Sequence, residues 1–147
     1  MVNDSGSKCL KAVYHNVQSL NNKLPELTLT LSRYKCNIDV VCLTEHKLIS
    51  NHMYVLDFDN FMLITNFSKI ACKGGGTHTF VKHHVQAKEV NYLFNLGCDK
   101  ALELSAVQIL DHNIMLCVYT GLPVENFMIS YLNYKWLLKE RKLRTND

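Results

Sequence analysis

The chain has 147 residues, of which 48% are hydrophobic and 20% charged, and its formal net charge is +3. This balance is typical of one globular domain with its own core, and it excludes an intrinsically disordered chain. The mild positive charge permits a nucleic-acid partner without requiring one. The sequence contains no apolar run as long as a membrane span, and its first residues lack the apolar centre of a secretory signal.

The six cysteines indicate a reduced, intracellular protein. None forms a C-x-x-C pair, and Cys42 and Cys117 lie within apolar runs, where cysteine behaves as a small hydrophobe. The spacing of cysteines and histidines does not support a zinc site. His83 and His84 are adjacent, so on a strand they would face opposite ways, and we expect surface histidines rather than a metal pair.

The first predicted elements are a strand and a helix. Cys9–His15 is mostly apolar and β-prone, which predicts a strand that runs into Asn16. Asn21–Asn22 is suited to capping a helix, and Pro25 to its first turn. The apolar positions that recur at helical spacing, and predict an amphipathic helix packed on a sheet, are Leu24, Leu27, Leu31 and Tyr34.

A second, buried strand follows the helix and ends in a carboxylate. Val40–Leu43 is a short apolar run with polar boundaries, and Glu45 comes just after it. Strand, helix and strand in this order predict a crossover with parallel strands, so Asn16 and Glu45 would lie at the same edge of the sheet. A carboxylate there is costly to desolvate unless a cation faces it. The alternative is an ordinary surface glutamate that opens a loop.

The middle of the chain is β-prone. Phe61–Thr65 and Thr77–Lys82 predict strands, and Val85–Val90 predicts a short antiparallel partner. The run Gly74–Gly76 indicates a turn with positive φ or a close backbone approach. A phosphate-binding loop would need a helix and a Lys-Ser/Thr pair after the glycines, and a strand follows instead.

The last third predicts a hairpin and a helix. Ala101–Ile109 and Ile114–Tyr119 read as paired strands, with Tyr119 at a strand end. A helix is expected from Asn126 onward, with a basic end that is either solvated or a DNA-contacting tail. We predict a mixed α/β (α+β) fold with about six strands and two helices, in one domain at residues 8–140. Residues 1–7 and 141–147 are expected to be flexible ends.

Four motifs, in order and spacing, resemble the endonuclease domain of non-LTR (LINE-type) retrotransposons. That domain belongs to the endonuclease/exonuclease/phosphatase superfamily and is similar to apurinic-site endonucleases. The resemblance runs from about Leu10 to Leu137. The residues that carry it are His15–Leu20 with Lys23 and Leu24, Asp39–Glu45, Gly74–Gly76 with Phe80–Lys82, and Val118–Tyr119 followed by Pro123.

The resemblance implies a two-sheet α/β sandwich that hydrolyses DNA phosphodiesters with Mg²⁺ or Mn²⁺. Glu45 matches the metal-binding carboxylate of the family, and Asn16 matches the asparagine that helps to order the metal site. Tyr119 matches a tyrosine that contacts the scissile phosphate. A hard cation with oxygen ligands is consistent with this chemistry, because it offsets charge on the phosphoryl group. DNA as the partner and a nuclear location also follow from the resemblance.

The departures from the family pattern predict an incomplete site. A Gly-Asp-Phe-Asn type strand end and a terminal Asp-His type motif do not occur, an arginine after Tyr119 is missing, and Thr77–Thr79 replaces an apolar triplet. We therefore expect a truncated domain, inactive alone, in which one sheet lacks its partner and self-association or a partner chain covers it. The alternatives are a non-catalytic nucleic-acid-binding or protein-interaction module and, more remotely, a phosphatase relative.

Overall fold

The computed structural model describes one helix and nine strands within residues 9–33, 38–48, 60–68, 74–91, 103–120, 126–131 and 135–138. The expectations for residues 1–7 and 141–147 lie outside the described residues. In chain order the elements are β1 (Ala12–Asn16), α1 (Leu20–Arg33), β2 (Val40–Thr44), β3 (Phe61–Phe67), β4 (Thr77–Lys82), β5 (Ala87–Glu89), β6 (Glu103–Ile109), β7 (Ile114–Thr120), β8 (Asn126–Tyr131) and β9 (Lys135–Leu138).

The first sheet has the strand order β1-β2-β4-β3. Strands β1 and β2 are parallel, with Asn16 opposite Thr44, and α1 connects them, which confirms the predicted crossover. The helix begins at Leu20, earlier than Asn21–Asn22 suggested, so Pro25 lies in its second turn rather than its first. The earlier start follows from the Leu20 N–H, which donates to the carbonyl oxygen of His46 at 3.0 Å and ties the helix to the residues after β2.

The second sheet has the order β5-β6-β7-β8-β9, and every pair in it is antiparallel. The predicted hairpin of β6 and β7 is confirmed. The strand predicted within Val85–Val90 exists as β5, but it pairs with β6 rather than with β4.

The helix predicted from Asn126 is wrong, because the chain forms β8 and β9 there. Strand β8 pairs with β7 along Asn126–Tyr131 and completes the hydrogen bonding of that buried strand. Its run Phe127–Ser130 combines aromatic and β-branched residues, which suit a pleated surface. A sheet edge that is available for pairing outweighs a weak local preference for helix.

The two sheets pack face to face, and α1 covers the other face of the first sheet. One apolar cluster lies between the sheets, and a second lies between α1 and the first sheet. Our expectation that one sheet lacks a packing partner is therefore wrong for the described residues. The mixed α/β class with two stacked sheets is confirmed. The residues in the inter-sheet cluster are Val40, Cys42, Val81, Val85, Val107, Ile109, Ile114, Leu116 and Val118.

Strand β2 shows how the sequence positions the core. All five of its residues are buried, and the first four alternate between the two apolar clusters, with Val40 and Cys42 facing the second sheet and Val41 and Leu43 facing α1. A strand covered on both faces has a continuous apolar run, as the sequence predicted for Val40–Leu43. In the part of the chain that the structure describes, no helix is both long and apolar enough to cross a membrane.

Candidate functional site

Asn16 and Glu45 lie at the same edge of the first sheet. Asn16 is the last residue of β1 and pairs with Thr44, the last residue of the parallel strand β2, and Glu45 follows directly. Both side chains are half-buried. The Asn16 Oδ1 atom accepts a hydrogen bond from the Gln18 N–H at 3.2 Å, which holds the loop after β1 close to the strand end. The structure therefore brings together two of the three residues that the sequence singled out.

Backbone hydrogen bonds join the loops at this edge, which we call the rim (residues 16–19, 44–48 and 74–76). The Val17 N–H donates to the Thr44 oxygen at 3.0 Å, and the Ser19 N–H donates to the Glu45 oxygen at 2.8 Å. On the other side, the Lys47 N–H donates to the Gly75 oxygen at 2.8 Å. Glu45 thus lies on a segment that is hydrogen-bonded to both neighbouring loops, and these bonds restrain its backbone.

Unusual backbone conformations concentrate at the rim. Of the nine described residues with positive φ, seven belong to the rim, and four of these are not glycine. Glu45 itself has φ +56°. A non-glycine residue in the left-handed region costs about 1–2 kcal/mol and persists only where its surroundings impose it. Such residues cluster at functional sites, so their concentration at the rim supports a functional role there. The four non-glycine rim residues with positive φ are Gln18, Ser19, Glu45 and Lys47.

The glycine run allows the close approach that the sequence predicted. Gly75 and Gly76 have φ +64° and +91°, and a Cβ atom at Gly75 would overlap the carboxylate of Glu103. A Cβ atom at Gly76 would overlap the ring of His46. The Gly76 N–H donates to the Glu103 carboxylate, which is buried at the start of β6. The run therefore packs the rim loop against the second sheet, and the prediction of positive φ and close approach is confirmed.

A buried histidine of the rim, His46, stacks on a buried histidine of β4, His78. The rings of His46 and His78 are stacked, with centroids 3.9 Å apart and planes 8° apart, and both residues have 0% exposure. The Nδ1 atom of His46 accepts a hydrogen bond from the Leu48 N–H at 2.9 Å, so Nε2 carries the proton and donates to the Phe67 oxygen at 3.0 Å. His46 is therefore neutral.

The pKa values of the two histidines agree with this neutral state. Burial lowers the pKa of His46, although the hydrogen bond to Phe67 and nearby carboxylates oppose the shift. Burial lowers the pKa of His78 to about 2, and the neighbouring His46 contributes to the shift. The polar residue that the sequence placed in a buried strand is thus accommodated as an uncharged ring against another ring.

The Glu45 carboxylate is bound by a residue of the other sheet. Thr120 ends β7, is 2% exposed, and its Oγ1 donates to Glu45 Oε1 at 3.0 Å. Sequence reasoning missed this residue and noted only that an arginine is absent there. The alternation along β7 was the available signal, because it places Thr120 on the same inward face as Leu116 and Val118.

The third predicted site residue faces the other way. Tyr119 is half-buried, pairs with Leu104 in the register of β6 and β7, and packs against the cluster on the outer face of the second sheet. Its backbone lies one residue from the rim contact, while its ring packs against residues such as Cys117. The structure thus separates the ring of Tyr119 from the pair Asn16 and Glu45, and its contact with a phosphate remains a prediction.

The rim supplies the kind of donors that a hard cation prefers. Glu45 contributes a carboxylate and Asn16 an amide oxygen, and Mg²⁺ accepts one or two protein oxygens with water completing its shell. In the described ranges no group of three or more His, Cys, Asp or Glu side chains could hold a metal ion. The residues present therefore fit a cation that takes much of its coordination from water or a phosphate, and they do not fit a zinc-type cage.

Comparison with known proteins finds likeness among solved structures. No protein-family model matches the sequence, and no curated protein matches it. Among solved structures, the chain is similar to the 3′ phosphatase NExo from Neisseria, bound to a product DNA hairpin, with 17% sequence identity and a TM-score of 0.48. The likeness covers 71% of this chain and 42% of the Neisseria chain, so this chain spans less than half the length of the Neisseria phosphatase.

Proposed function

We propose that the rim is the cation-binding part of a phosphodiesterase site, in a remnant of a divalent-metal-dependent DNA endonuclease of the retrotransposon type. The observation that supports this best is the position of Asn16 and Glu45 at adjacent carboxyl ends of parallel strands. In open α/β sheets ligands bind at that edge. The two side chains are 29 positions apart in the sequence (45 − 16), and the parallel pairing of their strands brings them to this edge.

The cation would lie against Glu45, with Asn16 beside it. One oxygen of Glu45 accepts the Thr120 hydroxyl, and within the described residues the other oxygen has no hydrogen-bond partner. Mg²⁺ or Mn²⁺, when bound, neutralises charge on a phosphate and polarises its phosphorus–oxygen bonds. The N-terminus of α1 starts at the same rim, and the positive end of its dipole favours an anion nearby. A DNA phosphate is the anion that we propose.

Hydrolysis by this chain alone is expected to be weak or absent. Attack on a phosphodiester needs a group that orients or deprotonates water, and the family motifs that supply it do not occur in the sequence. Besides Asn16 and Glu45, the rim offers His46, whose two nitrogens are both engaged in hydrogen bonds. We therefore propose binding of cation and phosphate without efficient cleavage, in an intracellular, DNA-associated protein. The role of the family implies a nuclear location.

The test combines cation binding with DNA nicking. Mn²⁺ binding is measured by electron paramagnetic resonance, and nicking is measured on supercoiled plasmid with Mg²⁺, for the wild type and Glu45→Gln. The control is Glu26→Gln, an exposed carboxylate on α1 that pairs with Lys23. We expect Mn²⁺ binding that Glu45→Gln abolishes and Glu26→Gln leaves unchanged, with little nicking.

Three results would change the proposal. Absence of Mn²⁺ binding by the wild type, or equal binding by Glu45→Gln, refutes the cation site. Rapid nicking that depends on Glu45 keeps the site but refutes our view that the absent motifs are indispensable. Salt-dependent DNA retention that is indifferent to both Mg²⁺ and Glu45 favours the alternative function, a nucleic-acid-binding module.

A further inference from the structure

A set of polar contacts at the rim crosses between the two sheets. The Gly76 N–H donates to the carboxylate of Glu103 on β6, and the Thr77 hydroxyl donates to Ser105 Oγ at 2.9 Å. The Thr120 hydroxyl donates to Glu45 Oε1 at 3.0 Å. The side chains of Thr77, Ser105 and Thr120 are at most 2% exposed, so these bonds form away from bulk water. Among these three contacts, the bond from Thr120 alone involves the Glu45 side chain.

Thr120 is well placed to restrain Glu45 because its own position is fixed. It is the last residue of β7 and pairs with Glu103 in the register of β6 and β7. Residues before it on the same face, Leu116 and Val118, are fully buried between the sheets. A β-branched side chain on a strand has few rotamers, so the hydroxyl donor is held in one direction. Glu45, by contrast, lies in a loop and is half-buried, and it has more freedom to lose.

We propose that Thr120 is the positioning residue for the Glu45 carboxylate. Its hydroxyl holds Oε1 and thereby leaves Oε2 for the cation, so the second sheet sets the orientation of a ligand that the first sheet carries. This inference rests on the proposed function, because it assumes that Glu45 binds a cation. Hydrogen bonds to a ligating carboxylate orient it, and removal of such a partner typically weakens metal binding by about 10–100-fold.

The contact also accounts for the residue type at the end of β7. A hydroxyl that donates one hydrogen bond leaves the negative charge of Glu45 available to a cation. A threonine at position 120 is therefore compatible with cation binding at Glu45.

The experiment measures Mn²⁺ affinity of the full chain by electron paramagnetic resonance for three variants. Thr120→Val removes the hydroxyl and keeps the shape, and Thr120→Ser keeps the hydroxyl. Ser105→Ala is the matched control, since it removes an inter-sheet hydrogen bond at the rim without touching Glu45. We expect about tenfold weaker binding by Thr120→Val, a change of no more than about twofold for Thr120→Ser, and no change for Ser105→Ala.

The outcomes separate this inference from the proposed function. Binding that requires Glu45 but is equally strong in Thr120→Val overturns the positioning role and leaves the cation site intact. Equal weakening by Ser105→Ala also overturns it, because the effect would then be a general loss of sheet packing. Absence of binding in the wild type overturns both. If Thr120→Val does not fold by circular dichroism, Mn²⁺ affinity of Thr120→Ala, read with broadening of the Glu45 carboxyl ¹³C resonance, gives the same decision.

Discussion

Replacement of Gly76 by alanine tests the packing of the rim against the histidine pair. Gly76 has φ +91°, and an added Cβ atom would overlap the ring of His46. That ring has 0% exposure and is held between the Phe67 oxygen at 3.0 Å and the Leu48 N–H at 2.9 Å. Stacking on His78 also blocks one face of the ring, so the ring cannot move away on that side.

The expected cost has two parts. An alanine in the left-handed region costs about 1–2 kcal/mol relative to glycine. Overpacking of a closed interior costs about 1–3 kcal/mol in addition. Gly76→Ala should therefore lower the free energy of unfolding by about 2–5 kcal/mol, a large share of the roughly 5–15 kcal/mol that domains have. The control is Gly74→Ala, with φ +133° and no heavy atom within 4 Å of the added Cβ, which carries the backbone part alone.

Urea unfolding followed by circular dichroism measures the difference between these variants. We expect the Gly76→Ala midpoint to fall well below that of Gly74→Ala. The double variant Gly76→Ala/His46→Ala should show a favourable coupling, because removal of the ring relieves the overlap. Equal destabilisation by the two alanine substitutions, together with no coupling to His46→Ala, would show that the His46 ring does not pack on the glycine run.

Two further predictions concern titration and thiol reactivity. The pKa of His78 is lowered from its usual 6.5 to about 2, and that of His46 is also lowered, so the unfolded chain binds protons that the folded one excludes. The two buried histidines therefore leave the free energy of unfolding almost unchanged above about pH 6.5 and lower it as the pH falls, by about 2 kcal/mol for His78 between pH 7 and 5. His78→Gln should flatten this slope in urea titrations. Burial raises the pKa of Cys42 to about 12 and of Cys117 to about 11, whereas Cys9 is exposed. Maleimide labelling mapped by mass spectrometry should therefore modify Cys9 before Cys42 and Cys117, and early modification of Cys42 would contradict the packing between the sheets.

Local patterns in the sequence determined the first sheet and the candidate site to a large extent. A continuous apolar run predicted the doubly covered strand β2, and the run of glycines predicted the close approach at the rim. Strand, helix and strand in succession predicted the parallel pair that brings Asn16 and Glu45 to one edge. These features could be read because their cause is local: side-chain periodicity, backbone freedom and the short connection between neighbouring elements.

Tertiary structure alone decided the features whose partners are distant in sequence. The residues from Asn126 form a strand because β7 offers an open edge, which no local pattern reveals. Thr120 reaches Glu45 across 75 positions, and His46 stacks on His78 across 32 positions (78 − 46). Such contacts depend on how two sheets stack and in which register, and many pairings of similar local energy would satisfy the same sequence pattern until the whole core is assembled.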